Sequence, residues 1–233
     1  MSRFEPELPF SYTITRSKRK TVAIHVKRGE VDVRAPLQIS QKWVDDFVRQ
    51  KSGWIQGQLH EQRIRNNEKL KIADNRQVLF FGISRTIVVI ISPQQKVELS
   101  QDFLFIYTKK NTPAQLENLF NRWLLNQARE YMTTQTVKIS RMLGVEHKLK
   151  DVVFRKTRTK WGHCCHDGSI QYNWLVMMAP KPVIDYLISH ETSHLIYMNH
   201  SAAFWKTVAS VCSNYQEKRN WLKANGHRLW TQS

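Results

Sequence analysis

Cysteine is scarce, with three residues in a chain of 233, and two of them, Cys164 and Cys165, are neighbours. Adjacent cysteines close a disulfide only under strain, so no disulfide framework is expected and a reducing cytoplasm is the expected compartment. Long apolar runs are missing too. The longest, residues 87–91 and 174–179, are five and six residues, against the roughly 20 that a membrane-spanning helix needs. No membrane partner is therefore expected. The first ten residues hold two acids and two prolines where a secretory signal needs a basic start and an apolar stretch, so an export address is not expected either. Acidic residues are few, 19 against 36 Lys plus Arg, which leaves a formal net charge of +17.

What is present argues for a folded body. Hydrophobic residues make up 41% and aromatic residues 11%, with eight Trp, too much apolar material for a disordered polycation. The charge is spread evenly: 15 basic and 9 acidic residues in 1–74, 11 and 5 in 75–150, and 10 and 5 in 151–233. Two concentrations stand out, Arg16, Lys18, Arg19, Lys20 and Arg155, Lys156, Arg158, Lys160. Such a surface suits nucleic acid through phosphate contacts; the plainer reading is a solvated basic face, because no nucleic-acid-binding motif accompanies it.

Alternating β-branched residues at 12–16, 21–26 and 30–34 predict a small antiparallel meander. From Ser40, Trp43, Val44, Phe47, Val48, Trp54, Ile55 and Leu59 fall at the spacing of one amphipathic helix that continues to about Arg65. Runs at 78–81, 85–91, 96–99 and 103–107 predict a second strand group. Thr112-Pro113 reads as a helix start and Gly144 as its stop. Beyond it, 152–161 and 169–174 read as two strands joined across Asp167-Gly168. A helix from Val183 to about Met198 follows, then helical stretches at 201–211 and 215–224 with Gly226 as the final stop. The division expected is a β-rich region with an amphipathic helix over 1–110 and a second region over 111–233, giving an α+β protein.

The chemistry concentrates in His190-Glu191-Thr192-Ser193-His194. Residues four apart on a helix share a face, so both imidazoles can reach one metal ion, and Glu191 stands beside that ion free to take a proton from a metal-bound water. His200 lies six residues beyond His194 and can join them only if the helix ends in between; Asn199, which tolerates a left-handed conformation, is the expected break. Three neutral His with an open position make a catalytic zinc site. Three other readings compete with it. His163-Cys164-Cys165-His166 could bind metal, Glu217 could replace His200, and Cys164 could act as a nucleophile with His163. An oxyanion donor is sought among His163, Tyr197, Arg158 and His227.

The motif, with Asn199-His-Ser-Ala-Ala-Phe-Trp205, Lys160-Trp-Gly-His-Cys164, Ile170-Gln-Tyr-Asn-Trp174, Arg16-Ser-Lys-Arg-Lys-Thr21 and Val33-Arg-Ala-Pro36, resembles the YgjP-like metallopeptidase family, related to the SprT and Spartan type of zincins. The resemblance covers most of the chain. It implies a β-rich amino-terminal part followed by a zincin-like minimal metallopeptidase domain, with zinc held by His190, His194 and His200 and Glu191 as base. This chain departs from the family at Thr192-Ser193, where Leu-Ala is usual, and at His163, where Ser is usual. The function expected is zinc-dependent hydrolysis of protein or peptide substrates. The alternatives are a basic nucleic-acid-binding protein with a structural metal site, or a peptidase acting on proteins bound to nucleic acid.

Overall fold

The computed structural model describes residues 8–67, 70–157 and 159–230. The fold is α+β, with six α-helices and three small sheets among the described residues. The chain divides into two compact units, Met1–Glu68 and Lys69–Ser233.

In the first unit, strands β1 (Thr13–Ser17), β2 (Ala23–Lys27) and β3 (Glu30–Pro36) form a sheet in the order β1-β3-β2. Val31, Val33 and Ala35 alternate inward on β3 and are all buried, as a central strand requires. β2 and β3 form the expected hairpin, closed by Arg28 and Gly29 at φ 58° and 80°. β1, however, pairs in parallel with the far edge of β3, so the three strands are not a meander. The single helix expected after Ser40 is two, α1 (Gln41–Gln50) and α2 (Ser52–Asn67). The break is at Lys51, whose N–H is shared between the carbonyls of Phe47 and Val48 at 3.1 Å each. Val44, Val48 and Ile55 complete this unit's core.

In the second unit, β4 (Gln77–Phe80), β5 (Ile83–Ile91), β6 (Lys96–Leu99) and β7 (Phe103–Thr108) follow the order β4-β5-β7-β6. Helix α3 (Pro113–Met142) is capped by Thr112, whose hydroxyl accepts from the N–H of Gln115 at 3.4 Å, and Gly144 turns the chain at φ 70°. Its buried stripe of Leu116, Leu119, Phe120, Leu124, Ala128 and Met132 keeps helical spacing and joins Val78, Phe80, Ile87, Leu104 and Ile106 of the sheet in one core. That shared core joins the sheet and α3 within the second unit.

The third sheet comprises β8 (Asp151–Phe154), β9 (Gly162–Cys164) and β10 (Ser169–Tyr172) in the order β8-β10-β9. β9 and β10 form a hairpin across Asp167-Gly168, with Gly168 at φ 87°. The strand expected over 152–161 stops at Phe154, and β8 pairs in parallel with β10. Helices α4 (Lys181–Ser193), α5 (Ala202–Val211) and α6 (Tyr215–Asn225) complete the unit. Gly226 does not stop α6 by a left-handed turn: its φ is −55°, and a Cβ there would lie 2.9 Å from Trp161 Nε1, so its role is close approach. No helix among the described residues is long and apolar enough to cross a membrane.

Candidate metal centre

Burial of Val183, Ile184, Leu187 and Ile188 fixes the rotation of α4 against the core, and with it the direction of the polar residues one turn on. The helix ends at Ser193, about five residues before the expected Met198. The end is made by backbone tightening: the N–H groups of His194, Leu195 and Ile196 reach the carbonyls three residues back at 3.2, 3.0 and 3.0 Å. Asn199 is not among the residues of positive φ, and its carboxamide oxygen instead accepts from the N–H of Ser201 at 3.3 Å. Thr192 and Ser193 are buried, and the Ser193 hydroxyl bonds the Ser189 carbonyl at 2.7 Å, which satisfies one of the two polar groups that replace Leu-Ala.

This early stop brings the third histidine back. One ring nitrogen from each of His190, His194 and His200 lies within 4.8 Å of the others, the only such group of three or more metal-ligating side chains among the described residues. His200 Nε2 and His190 Nε2 are 3.1 Å apart. His194 Nδ1 donates to the Tyr197 carbonyl at 2.9 Å, which leaves its Nε2 as an acceptor facing the group. Burial, then the neighbouring His194 and His200, push His190 down to about 3, and burial also lowers His194. Both rings are thus neutral near pH 7, the state in which imidazole ligates.

Glu191 is 5% exposed on the same helix. Burial pushes its carboxyl up to about 8, opposed by the charge of Lys160. Gly162 of β9 lies directly against it: a Cβ there would sit 2.6 Å from Glu191 Cδ and Cγ, and closer still to Oε1. Gly162 lies within the Lys160-Trp-Gly-His-Cys164 segment, and a glycine inside a strand is a signal for close approach.

Two aromatic residues of α5 also belong to the site. The fully buried Phe204 ring stacks on His194 at 4.4 Å and meets His190 and His200 edge-on at 5.0 and 4.9 Å. Trp205 stacks on His200 at 5.6 Å and 26°.

The competing assignments are not brought together. Cys164 is buried and its thiol is pushed up to about 12, first by burial and then by Glu191, far from a reactive thiolate. Glu217 sits exposed in the first turn of α6, outside the histidine group. Of the four oxyanion candidates, His163 is exposed on β9, and Tyr197 is exposed in the irregular stretch after α4, where its carbonyl and not its hydroxyl meets His194. His227 lies in the turn after α6, and Arg158 falls outside the described residues.

A buried carboxylate beside convergent neutral imidazoles, on this α+β scaffold, describes a metal-dependent hydrolase of the metallopeptidase type. The chain belongs to the YgjP-like family, whose profile, described as a YgjP-like metallopeptidase domain, matches residues 20–225. Among solved structures it is similar to the metallopeptidase zymogen abylysin of Pyrococcus abyssi, at 19% identity and a TM-score of 0.37, over 44% of this chain and 99% of that one. None of the curated proteins compared with it matches.

Proposed function

We propose that this metallopeptidase-family chain hydrolyses peptide bonds in protein or peptide substrates with a zinc ion held by His190, His194 and His200 and with Glu191 as general base. The observation that carries the reading is the convergence of the three ring nitrogens within 4.8 Å. A tetrahedral site with zinc–nitrogen bonds of about 2.0–2.1 Å sets its ligand nitrogens about 3.3 Å apart, close to the 3.1 Å between His190 and His200. Three neutral nitrogen donors leave one position open, as a catalytic zinc site does.

When bound, the ion supplies a Lewis acid and lowers the pKa of its water into the neutral range. The chain's own residues do the rest. Burial keeps His190 deprotonated, and the Tyr197 carbonyl holds His194 in the tautomer whose Nε2 is free. Glu191 takes the proton of the attacking water and delivers it to the leaving amine nitrogen. The buried, desolvated carboxylate is a stronger base than one in water, which suits it to that transfer near neutral pH. Gly162 leaves the space in which the carboxylate sits.

Metal analysis of purified protein tests the assignment. One zinc per chain is expected, lost in both His194→Ala and His200→Ala; zinc retained at full occupancy in His200→Ala contradicts the third ligand.

The net charge of +17 favours a second reading in which the substrates are proteins bound to nucleic acid. Binding to a DNA duplex whose affinity falls steeply with salt is expected on that reading, and absent or salt-independent binding removes it.

A further inference from the structure

His200 is the least anchored member of the histidine group. It is exposed, and it follows the irregular residues 195–199. Its Nε2 faces His190 at 3.1 Å, and its other nitrogen has no hydrogen-bond partner among the described residues. Ligating imidazoles are ordinarily oriented by a hydrogen bond from their second nitrogen, as the Tyr197 carbonyl orients His194. For His200 the orienting contact is a ring.

The Trp205 indole stacks on His200 with centroids 5.6 Å apart and planes at 26°. Trp205 is itself fixed by α6: the Tyr215 ring stacks on it at 5.1 Å and 11°, and the Arg219 guanidinium lies 4.8 Å from its centroid. Tyr215 and Arg219 are four residues apart, one helical turn, so both reach the same indole. Beneath them Phe204 is fully buried in a cluster with Tyr186, Val208 and Cys212. Helix α5 starts directly after His200, where the Ser201 hydroxyl caps it by accepting from the Phe204 N–H at 3.4 Å, so the ring support begins within one turn of the ligand.

We propose that Trp205 is a positioning residue for His200: with no protein group among the described residues bonding its second nitrogen, the stack of Tyr215, Trp205 and His200 holds the third imidazole in its ligating orientation. This rests on His200 being a zinc ligand. Loss of an orienting group of this kind weakens metal binding by about 10- to 100-fold.

The test is an equilibrium zinc titration of the full-length metal-free protein against a competing chelator. Trp205→Leu is expected to weaken binding by about 10- to 100-fold, with Trp205→Phe, which restores a ring, recovering most of it. In a His200→Ala background, whose residual two-histidine affinity the titration still reads, Trp205→Leu is expected to weaken binding far less, by only what its tilted contact with His190 at 5.6 Å supplies. An unchanged affinity in Trp205→Leu, or the same weakening with and without His200, overturns the proposal. Wild-type affinity in His200→Ala alone overturns the ligand assignment beneath it and is distinguishable for that reason. Tyr215→Leu, which removes the outer ring of the stack, carries the same comparison if Trp205→Leu does not fold.

Discussion

Gly162 and Glu191 share one space: the carboxylate that would serve as base occupies the position a Cβ on Gly162 would need, with Cδ and Cγ 2.6 Å from it. Strand β9 and helix α4 can approach this closely only because position 162 carries a hydrogen. Gly162→Ala therefore displaces either the strand or the carboxylate. Overpacking of this kind costs about 1–3 kcal/mol of stability. A shift of about 1 Å in the base lowers kcat by about 100-fold. Zinc affinity, which the proposed site assigns to the histidines, is expected to change little. Peptidase assays beside zinc titration check this, and a Gly162→Ala protein with wild-type kcat would contradict it.

Burial of Glu191 also makes the metal-free protein sensitive to pH. Burial raises the Glu191 carboxyl from an ordinary 4.5 to about 8. A group that binds its proton more tightly when folded contributes its full stability below about pH 4.5 and loses it as the pH rises to about 8. With one pKa unit equal to about 1.4 kcal/mol, the Glu191 contribution should fall by on the order of 1 kcal/mol per pH unit across that window, offset up to about pH 6.5 by His190, whose lowered value makes stability rise with pH. Glu191→Gln lacks the titration, so it should gain on the wild type between pH 5 and pH 8. Denaturant midpoints of the two metal-free proteins at several pH values check this; parallel curves would contradict it.

Cys164 is expected to be inert. Its thiol is buried and held at about 12. At pH 8 iodoacetamide should leave it unmodified in the native protein and alkylate it in denaturant, as peptide mass mapping would read. Rapid native labelling at Cys164 would reopen the nucleophile assignment.

Gly226→Ala tests a packing claim away from the chemistry. A Cβ at 226 would meet Trp161 Nε1 at 2.9 Å, and Trp161 stacks on Trp230 at 4.6 Å. A loss of about 1–3 kcal/mol is expected, the usual cost of an overpacked site, measured by chemical denaturation.

These contacts mark the limit of what the sequence could reveal. Helix α3 was legible end to end, because Thr112-Pro113 and Gly144 act on their own neighbours. Strands β4 to β7 were legible to within two residues for a related reason, since β-branched runs and turns are local. The parallel pairings of β1 with β3 and β8 with β10 were not, because a partner's identity and direction depend on residues far along the chain. The stop of α4 was missed because it is made by backbone bonds over His194 to Ile196, with no glycine or left-handed residue to announce it. The spacing of His190, His194 and His200 was legible as a possible convergence of three rings. Their contacts with Phe204 and Trp205 were not, since an aromatic residue that lines a site and one that fills a core look alike in a sequence.

The most direct test of the account is cleavage of an unfolded protein by zinc-loaded wild type and by Glu191→Gln at equal zinc content. The account predicts one zinc in each and cleavage by the wild type alone. Cleavage at an undiminished rate by Glu191→Gln, with its zinc in place, would contradict Glu191 as the general base.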